Sequence, residues 1–266
     1  MKRLSFALSE LVVVVLLSGA ASLPVLAQGG QQGGREDQAP AGRAGAQIDL
    51  TGYWVSIISE DWRWRMVTPL KGDAASVPTT PAARKIVDNW DPAKDEAAGQ
   101  QCKSYGAPAI MRVPGRLHIS WQDNMTLKLE TDAGQQTRLF HFGGTPPANG
   151  QRSWQGYSVA NWEAPPRNYG GSNIGVYRIG AGGRSLEVVT SQLKAGYLRK
   201  NGVPYSENAV VNEYYDYHSE PNGDEWFTVT TAVTDPQYLA VPFVTSSDFK
   251  KEPDGSKWDP QPCAAR

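Results

Sequence analysis

Arg112, Arg116, His118 and Ser120 stand at alternate positions of one short stretch. If that stretch is a strand, the four side chains share a face. An imidazole changes charge near neutral pH, and a guanidinium holds a carboxylate or an oxyanion. His118 with Arg112 and Arg116 is therefore a set suited to general acid–base work on an anionic or enolisable molecule. Glu130, if its strand pairs with this one, adds a carboxylate to the same face. The competing reading is the solvent face of a half-buried strand, where alternating charges are ordinary.

A second group is built of rings and cations. Asp61-Trp62-Arg63-Trp64-Arg65-Met66 follows shortly after Gly52-Tyr53-Trp54. Read as a strand, it puts Trp62, Trp64 and Met66 on one face and Arg63, Arg65 and Val67 on the other. The tryptophans are expected to face the core alongside Trp54, while the arginines stack on ring edges or guard an opening. Trp62, Trp64 and Arg65 are candidate ligand contacts on that basis. Further along, Tyr197, Arg199 and Tyr205 flank Asn201-Gly202, a favoured two-residue hairpin turn. They either line a mouth and grip an aromatic or sugar ligand, or stabilise the hairpin across its turn.

The three histidines, His118, His141 and His218, fall on separate expected strands without H-E-x-x-H or H-x-H spacing. No metal site and no cofactor are expected from them. A barrel can still bring inward-facing residues of distant strands together, so His141 is kept as a candidate ligand contact. G-x-S-x-G and S-x-x-K are absent, as is a papain-like cysteine context.

Period-2 patterning supplies the elements that must position these groups. Strands are expected over 48–59, 62–67, 110–121, 126–131, 137–142, 174–179, 186–193, 209–218 and 226–233, with turn signals such as Pro221-Asn222-Gly223-Asp224 between neighbours. One helix is expected, Pro81–Trp90, opened by proline at a first helical position. The stretch 154–172, with Trp154, Tyr157, Trp162 and Tyr169, reads as a loop folded over an opening as a lid. The pattern predicts an all-β fold, an antiparallel barrel of about eight to ten strands, because closure removes the open edges of a long meander. A two-sheet sandwich is the alternative.

Composition bounds the rest. A chain of 266 residues, 40% hydrophobic, supports one large domain. Its formal net charge is -1 and no basic stripe stands out, which argues against a nucleic-acid partner. Residues 1–27 have a short basic start, an apolar run at Leu11–Leu17 and a Val25-Leu26-Ala27 end, the pattern of a cleaved secretory signal with no stable membrane anchor. Residues 28–47 contain no large apolar side chain and read as a disordered linker. The folded domain is then 48–266. The only two cysteines, Cys102 and Cys263, are expected to pair in an oxidising compartment, periplasmic or extracellular.

Leu50-Thr51-Gly52-Tyr53-Trp54 resembles the glycine-x-tryptophan signature on the first strand of lipocalins and related barrels. The resemblance implies a barrel floor closed by Trp54, with a cation from Arg63 or Arg65 packed across the ring. Asp61–Met66, Ile110–Leu117, Gly196–Ser206 and Phe249–Asp254 are similar to a family of secreted bacterial proteins without an established activity, which implies export and one β domain but no catalytic residue. Together these readings favour an exported protein that binds a small apolar or aromatic molecule in a barrel pocket. The rivals are a cofactor-independent lyase or isomerase using the His/Arg/Glu cluster, and a structural envelope protein.

Overall fold

The computed structural model describes residues 41–163 and 185–265. The segments expected to be a secretory signal and a linker up to residue 40, the strand expected at 174–179 and the part of the expected lid beyond residue 163 lie outside the described residues. In chain order the elements are β1 (Gly52–Ile57), α1 (Trp62–Arg65), α2 (Pro81–Asn89), α3 (Pro92–Ala97) and α4 (Ala107–Ile110). Then come β2 (Arg116–Trp121), β3 (Thr126–Thr131), β4 (Thr137–Phe142), β5 (Tyr157–Trp162) and β6 (Ser185–Ser191). A short hairpin, β7 (Gly196–Arg199) and β8 (Val203–Tyr205), precedes the long strands β9 (Val210–Ser219), β10 (Glu225–Thr234) and β11 (Phe243–Glu252).

Nine of these strands close into a barrel in the order β1-β11-β10-β9-β6-β5-β4-β3-β2, with β1 bonded to both β11 and β2. All pairs are antiparallel except β4–β5. The expected all-β barrel is therefore what the chain forms. Where one helix was expected, four short ones are described. Two repeat the same start signal, a side-chain oxygen capping the first turn just before proline: Thr80 accepts from Ala83, and Asp91 from Ala93.

Strand alternation fills the interior. Leu117, Ile119, Leu127, Leu129, Phe140 and Phe142 point inward from β2, β3 and β4, and Tyr215, Phe227, Val229 and Phe249 meet them from the far wall. Each fully buried phenylalanine contributes roughly 1.5–3 kcal/mol. Trp54 is fully buried, stands edge-on to Phe227 at 4.8 Å and donates its indole N–H to the Leu50 carbonyl at 2.8 Å. The cation over its ring is Lys251, at 5.4 Å, rather than Arg63 or Arg65.

A second apolar cluster caps one end of the barrel. Val77 and Val87 pack there with Leu198, Val203 and Tyr205 of the β7–β8 hairpin, against Val211, Val233 and Phe243 at the strand ends. Gly202 has a φ of +81°, and a Cβ there would sit 2.2 Å from the Trp90 ring, so glycine is what lets this hairpin lie on the cap. Between the two clusters, inside the barrel, lies a layer of buried polar side chains: Arg138, Ser158, Thr190, Glu213, Thr231 and Ser247. The Arg138 guanidinium grips the Glu213 carboxylate twice, at 2.9 and 2.5 Å, and also donates to the Thr190 hydroxyl at 3.2 Å. Burial works against its charge, yet the Glu213 carboxylate more than offsets this and raises the Arg138 pKa.

Several local expectations are corrected. Residues 61–66 form one helical turn, not a strand, so Trp62 and Trp64 point about 200° apart. Trp62 is 67% exposed and does not face the core, Trp64 is half-buried, and it is Arg65 that is buried. Trp62→Ala should therefore change stability by no more than about 0.5 kcal/mol, read from the urea midpoint; a core tryptophan would cost several times more. Residues 110–115 are a helix end and loop, so β2 begins only at Arg116. Residues 157–162 are barrel strand β5 rather than lid, because its inward face carries the small Ser158 and Ala160 while its rings point outward or to the edge. Residues 41–47 pack on the barrel: the Arg43 N–H donates to the Asn124 carbonyl at 2.9 Å and the Trp162 indole to the Gly42 carbonyl at 2.8 Å. Hydrogen bonding, which composition does not register, holds this piece down.

The Cys102–Cys263 disulfide forms, with its Cα atoms 5.1 Å apart. It fastens the C-terminal segment beside α4 and β3. That segment is also bonded through Gln261, whose N–H donates to the Asp132 carbonyl at 2.9 Å and whose carbonyl accepts from Gly134 at 2.8 Å.

Candidate functional site

The connection from β1 to α2 runs across the capped end and is tied to the β7–β8 hairpin. The buried Asn201 amide donates to the Leu70 and Asp73 carbonyls at 2.9 and 2.8 Å, and Arg199 donates to the Ala75 carbonyl at 2.7 Å. This brings α1, the turn after α4 and the end of β7 around one cleft, which therefore draws on three remote parts of the sequence: Arg65, Arg112 and Arg199 line it together with Trp64, Val113 and Leu198.

The three arginine residues are only 7%, 6% and 4% exposed. Arg65 is ion-paired with Glu60 and donates through Nε to the Arg112 carbonyl at 3.0 Å. Arg112 pairs with Asp61 at 2.8 Å and lies over the Phe243 ring. Arg199 sits over the Trp64 ring at 4.8 Å; among the described residues no carboxylate lies within ion-pair distance of it. Two of the three cations are thus ion-paired, while Asp73 and Asp248 act on Arg199 and Arg65 from beyond pairing distance. Burial, and then the neighbouring Arg112 charge, push the Arg199 pKa down to about 10. Burial lowers Arg65 as well, and the Arg112 charge adds to this against the pull of Glu60.

Four nitrogens of this group are buried without a hydrogen-bond partner among the described residues: Arg65 Nη2, Arg112 Nη1, and Arg199 Nε and Nη2. Buried donors on charged groups are costly to leave unmade. Guanidinium forks match the planar or tetrahedral oxygens of carboxylate and phosphoryl groups, so the arrangement is built to receive an oxyanion. The cleft holds about 30 Å³ of free space, which admits a water or the charged head of a ligand and no bulky body.

Of the residues singled out from sequence, the fold gathers Trp64, Arg65, Arg112 and Arg199 at this cleft. It does not gather the others there. His118 and Glu130 face each other across β2 and β3, 3.1 Å apart, on the outer face of the barrel. Lys128 also reaches Glu130, at 2.9 Å. Partial burial opposes the Glu130 charge, but the bonds from Lys128 and His118 outweigh it and lower the Glu130 pKa. The His118 ring stacks on Tyr53 at 4.4 Å and meets the edge of Trp258 from the C-terminal segment. Arg116 is committed to Glu252 at 2.9 Å. The set of His118, Arg112 and Arg116 is therefore divided: Arg112 lines the cleft, His118 packs against Trp258 of the C-terminal segment, and Arg116 pairs with the end of β11.

His141 stacks on Tyr157 on the outer face, and burial lowers its pKa. His218 stacks on Trp226, also outside, so the histidines do not converge. Tyr197 donates its phenol to Asp95 at 2.9 Å, and burial together with that carboxylate raises its pKa. Tyr205 is fully buried in the capping cluster and lines no mouth. Trp62 is outside the cleft lining. Sequence reasoning missed the counter-ions Glu60 and Asp61, whose only signal is their place immediately before the Trp-Arg run. No family model, curated protein or solved structure matches the chain.

Proposed function

We propose that the protein is an exported small-molecule-binding protein whose ligand presents an oxyanion, a carboxylate or phosphoryl group, to Arg65, Arg112 and Arg199. The observation that carries this reading is the convergence of three buried guanidiniums with four unpartnered nitrogens on one cleft, in excess of the carboxylates paired with them. Buried charges are ordinarily paired. An oxyanion bound here would complete the pairing and use donors that the fold leaves open. The expectation of ligand binding is kept, but its site moves from the packed barrel interior to the capped end. Export is supported by the signal-like start of the sequence and by a disulfide that suits an oxidising compartment. Among the described residues no helix is long and apolar enough to cross a membrane.

Phosphate, sulfate and acetate, compared with chloride at matched ionic strength, should raise the thermal midpoint. An anion at 100 times its dissociation constant adds about 2.7 kcal/mol, on the order of 5–10 °C for a domain of this size. Arg199→Met should remove most of that shift, read against the variant's own midpoint in chloride, which falls because the Arg199 bond to the Ala75 carbonyl is lost. Equal midpoints in all four anions, or an undiminished shift in Arg199→Met, would count against the proposal.

A further inference from the structure

We infer that the ligand of the arginine cleft is an anionic amphiphile. Its charged head would sit against Arg65, Arg112 and Arg199, and its apolar body would lie in the trough that continues from the cleft. The inference rests on the oxyanion reading and adds the chemistry of the rest of the molecule.

The trough shares Arg65, Val113, Pro114 and Lys200 with the cleft, so the two are continuous. It holds about 500 Å³ of free space, against about 30 Å³ in the cleft, which separates a place for a body from a place for a head. Met66, Val113 and Pro114 line the trough with Pro262 and Ala264 of the C-terminal segment, beside the polar Arg65, Lys200 and Gln261. Met66 is 58% exposed, and its neighbour Val67, which lines the cleft, is 64% exposed. Single exposed apolar residues are ordinary, whereas several standing together beside a polar anchor mark a binding groove.

Charge points the same way. The linings of cleft and trough contain Arg65, Arg112, Arg199 and Lys200 and no carboxylate, with Glu60 and Asp61 outside both. Lys200 lies over the Tyr105 ring at 5.0 Å, at the junction of the two spaces. A ligand complementary to this surface is negative at one end and apolar along its length. A purely apolar molecule would leave the buried guanidinium nitrogens unanswered, and a free inorganic anion would leave the trough empty.

The test is calorimetric titration of the disulfide-bonded protein with inorganic phosphate and with straight-chain monoalkyl phosphates from methyl to octyl, below their micelle concentrations. Inorganic phosphate should bind, and each added methylene should tighten binding roughly two- to fourfold until the trough is filled. In Met66→Ser/Ala264→Ser, which changes two exposed side chains that line the trough and not the cleft, the gain per methylene should shrink while inorganic phosphate binds as before. Phosphate binding with no dependence on chain length overturns the amphiphile and leaves the oxyanion site standing. An undiminished chain-length dependence in the double variant places the chain elsewhere and overturns it too. Failure of every phosphate to bind removes both readings.

Discussion

Without the Cys102–Cys263 bridge, as Cys102→Ser/Cys263→Ser or after reduction, unfolding should become easier by about 5 kcal/mol. The bridge joins residues 161 apart in sequence. Closing so long a loop removes that much freedom from the unfolded chain in the chain-entropy model, although native bridges have measured at about 2–5 kcal/mol. On a domain of this size the thermal midpoint should fall by on the order of 10–20 °C. Most of the loss should come through the unfolded state, because the C-terminal segment keeps other anchors: the Gln261 backbone bonds, and Trp258 against Tyr53. Oxidised and reduced protein compared in urea would check this. A midpoint unchanged by reduction would mean that the unfolded chain is already confined by other means.

The ion pair inside the barrel carries the other large expected effect. Among the described residues, Glu213→Leu removes the only carboxylate that Arg138 pairs with and leaves a fully buried guanidinium bonded to the Thr190 hydroxyl. Breaking a buried pair from one side costs about 3–5 kcal/mol, because the surviving charge is neither solvated nor compensated. Arg138→Met should be similarly damaging, since it strands the carboxylate. The double variant Arg138→Met/Glu213→Leu should recover most of the loss, leaving apolar side chains between two apolar clusters. Urea unfolding of all four proteins gives the coupling directly. Additive losses in the double variant would show that each side chain matters for its shape and not for its charge.

This pair also indicates what a sequence can display. Strands β2, β3, β4, β9 and β10 were legible because large apolar residues alternate with polar ones, and Pro81 announced α2. Strand β5 was not legible, since its inward face starts with the small Ser158 and Ala160 and gains a large side chain only at Trp162, while Tyr157 and Val159 face outward. Strand β11 was missed for a related reason: Ser247 faces the polar layer, not an apolar core. Arg138 keeps step with Phe140 and Phe142, yet nothing local says that a charged residue in that series is inside. It is inside because Glu213, on a strand far away in sequence, stands opposite.

The cleft was legible only in parts. Arg65 and Trp64 were singled out for their run of rings and cations, Arg199 for its hairpin, and Arg112 for its spacing from His118. Their assignment to one place depends on the cap, where the chain from β1 to α2 is pinned by Asn201 and Arg199. Tyr205 shows the converse: its place beside a hairpin turn suggested an opening, but the hairpin lies flat on the cap and the ring is inside. One helical turn at α1 reversed the facing of Trp62 and Arg65, because a period of two and a period of 3.6 part company within three residues.

Barrel closure through β1 and β11 also has a consequence for how the protein is made. β1 is flanked by β2 and by β11, the last strand of the described chain. While the chain is being synthesised, strands β2 to β4 can pair with their sequence neighbours, but β1 keeps an open edge until residues 243–252 have emerged. The seam is therefore among the most non-local contacts in the fold, of the kind that slow folding and leave unpaired backbone exposed meanwhile. Cys263 follows the seam and pairs with Cys102, between α3 and α4, so oxidation acts as a latch on a barrel already shut. The wall of the trough formed by Pro262 and Ala264 is then set in place only after the seam has closed, and a chain cut before residue 262 would have no such wall.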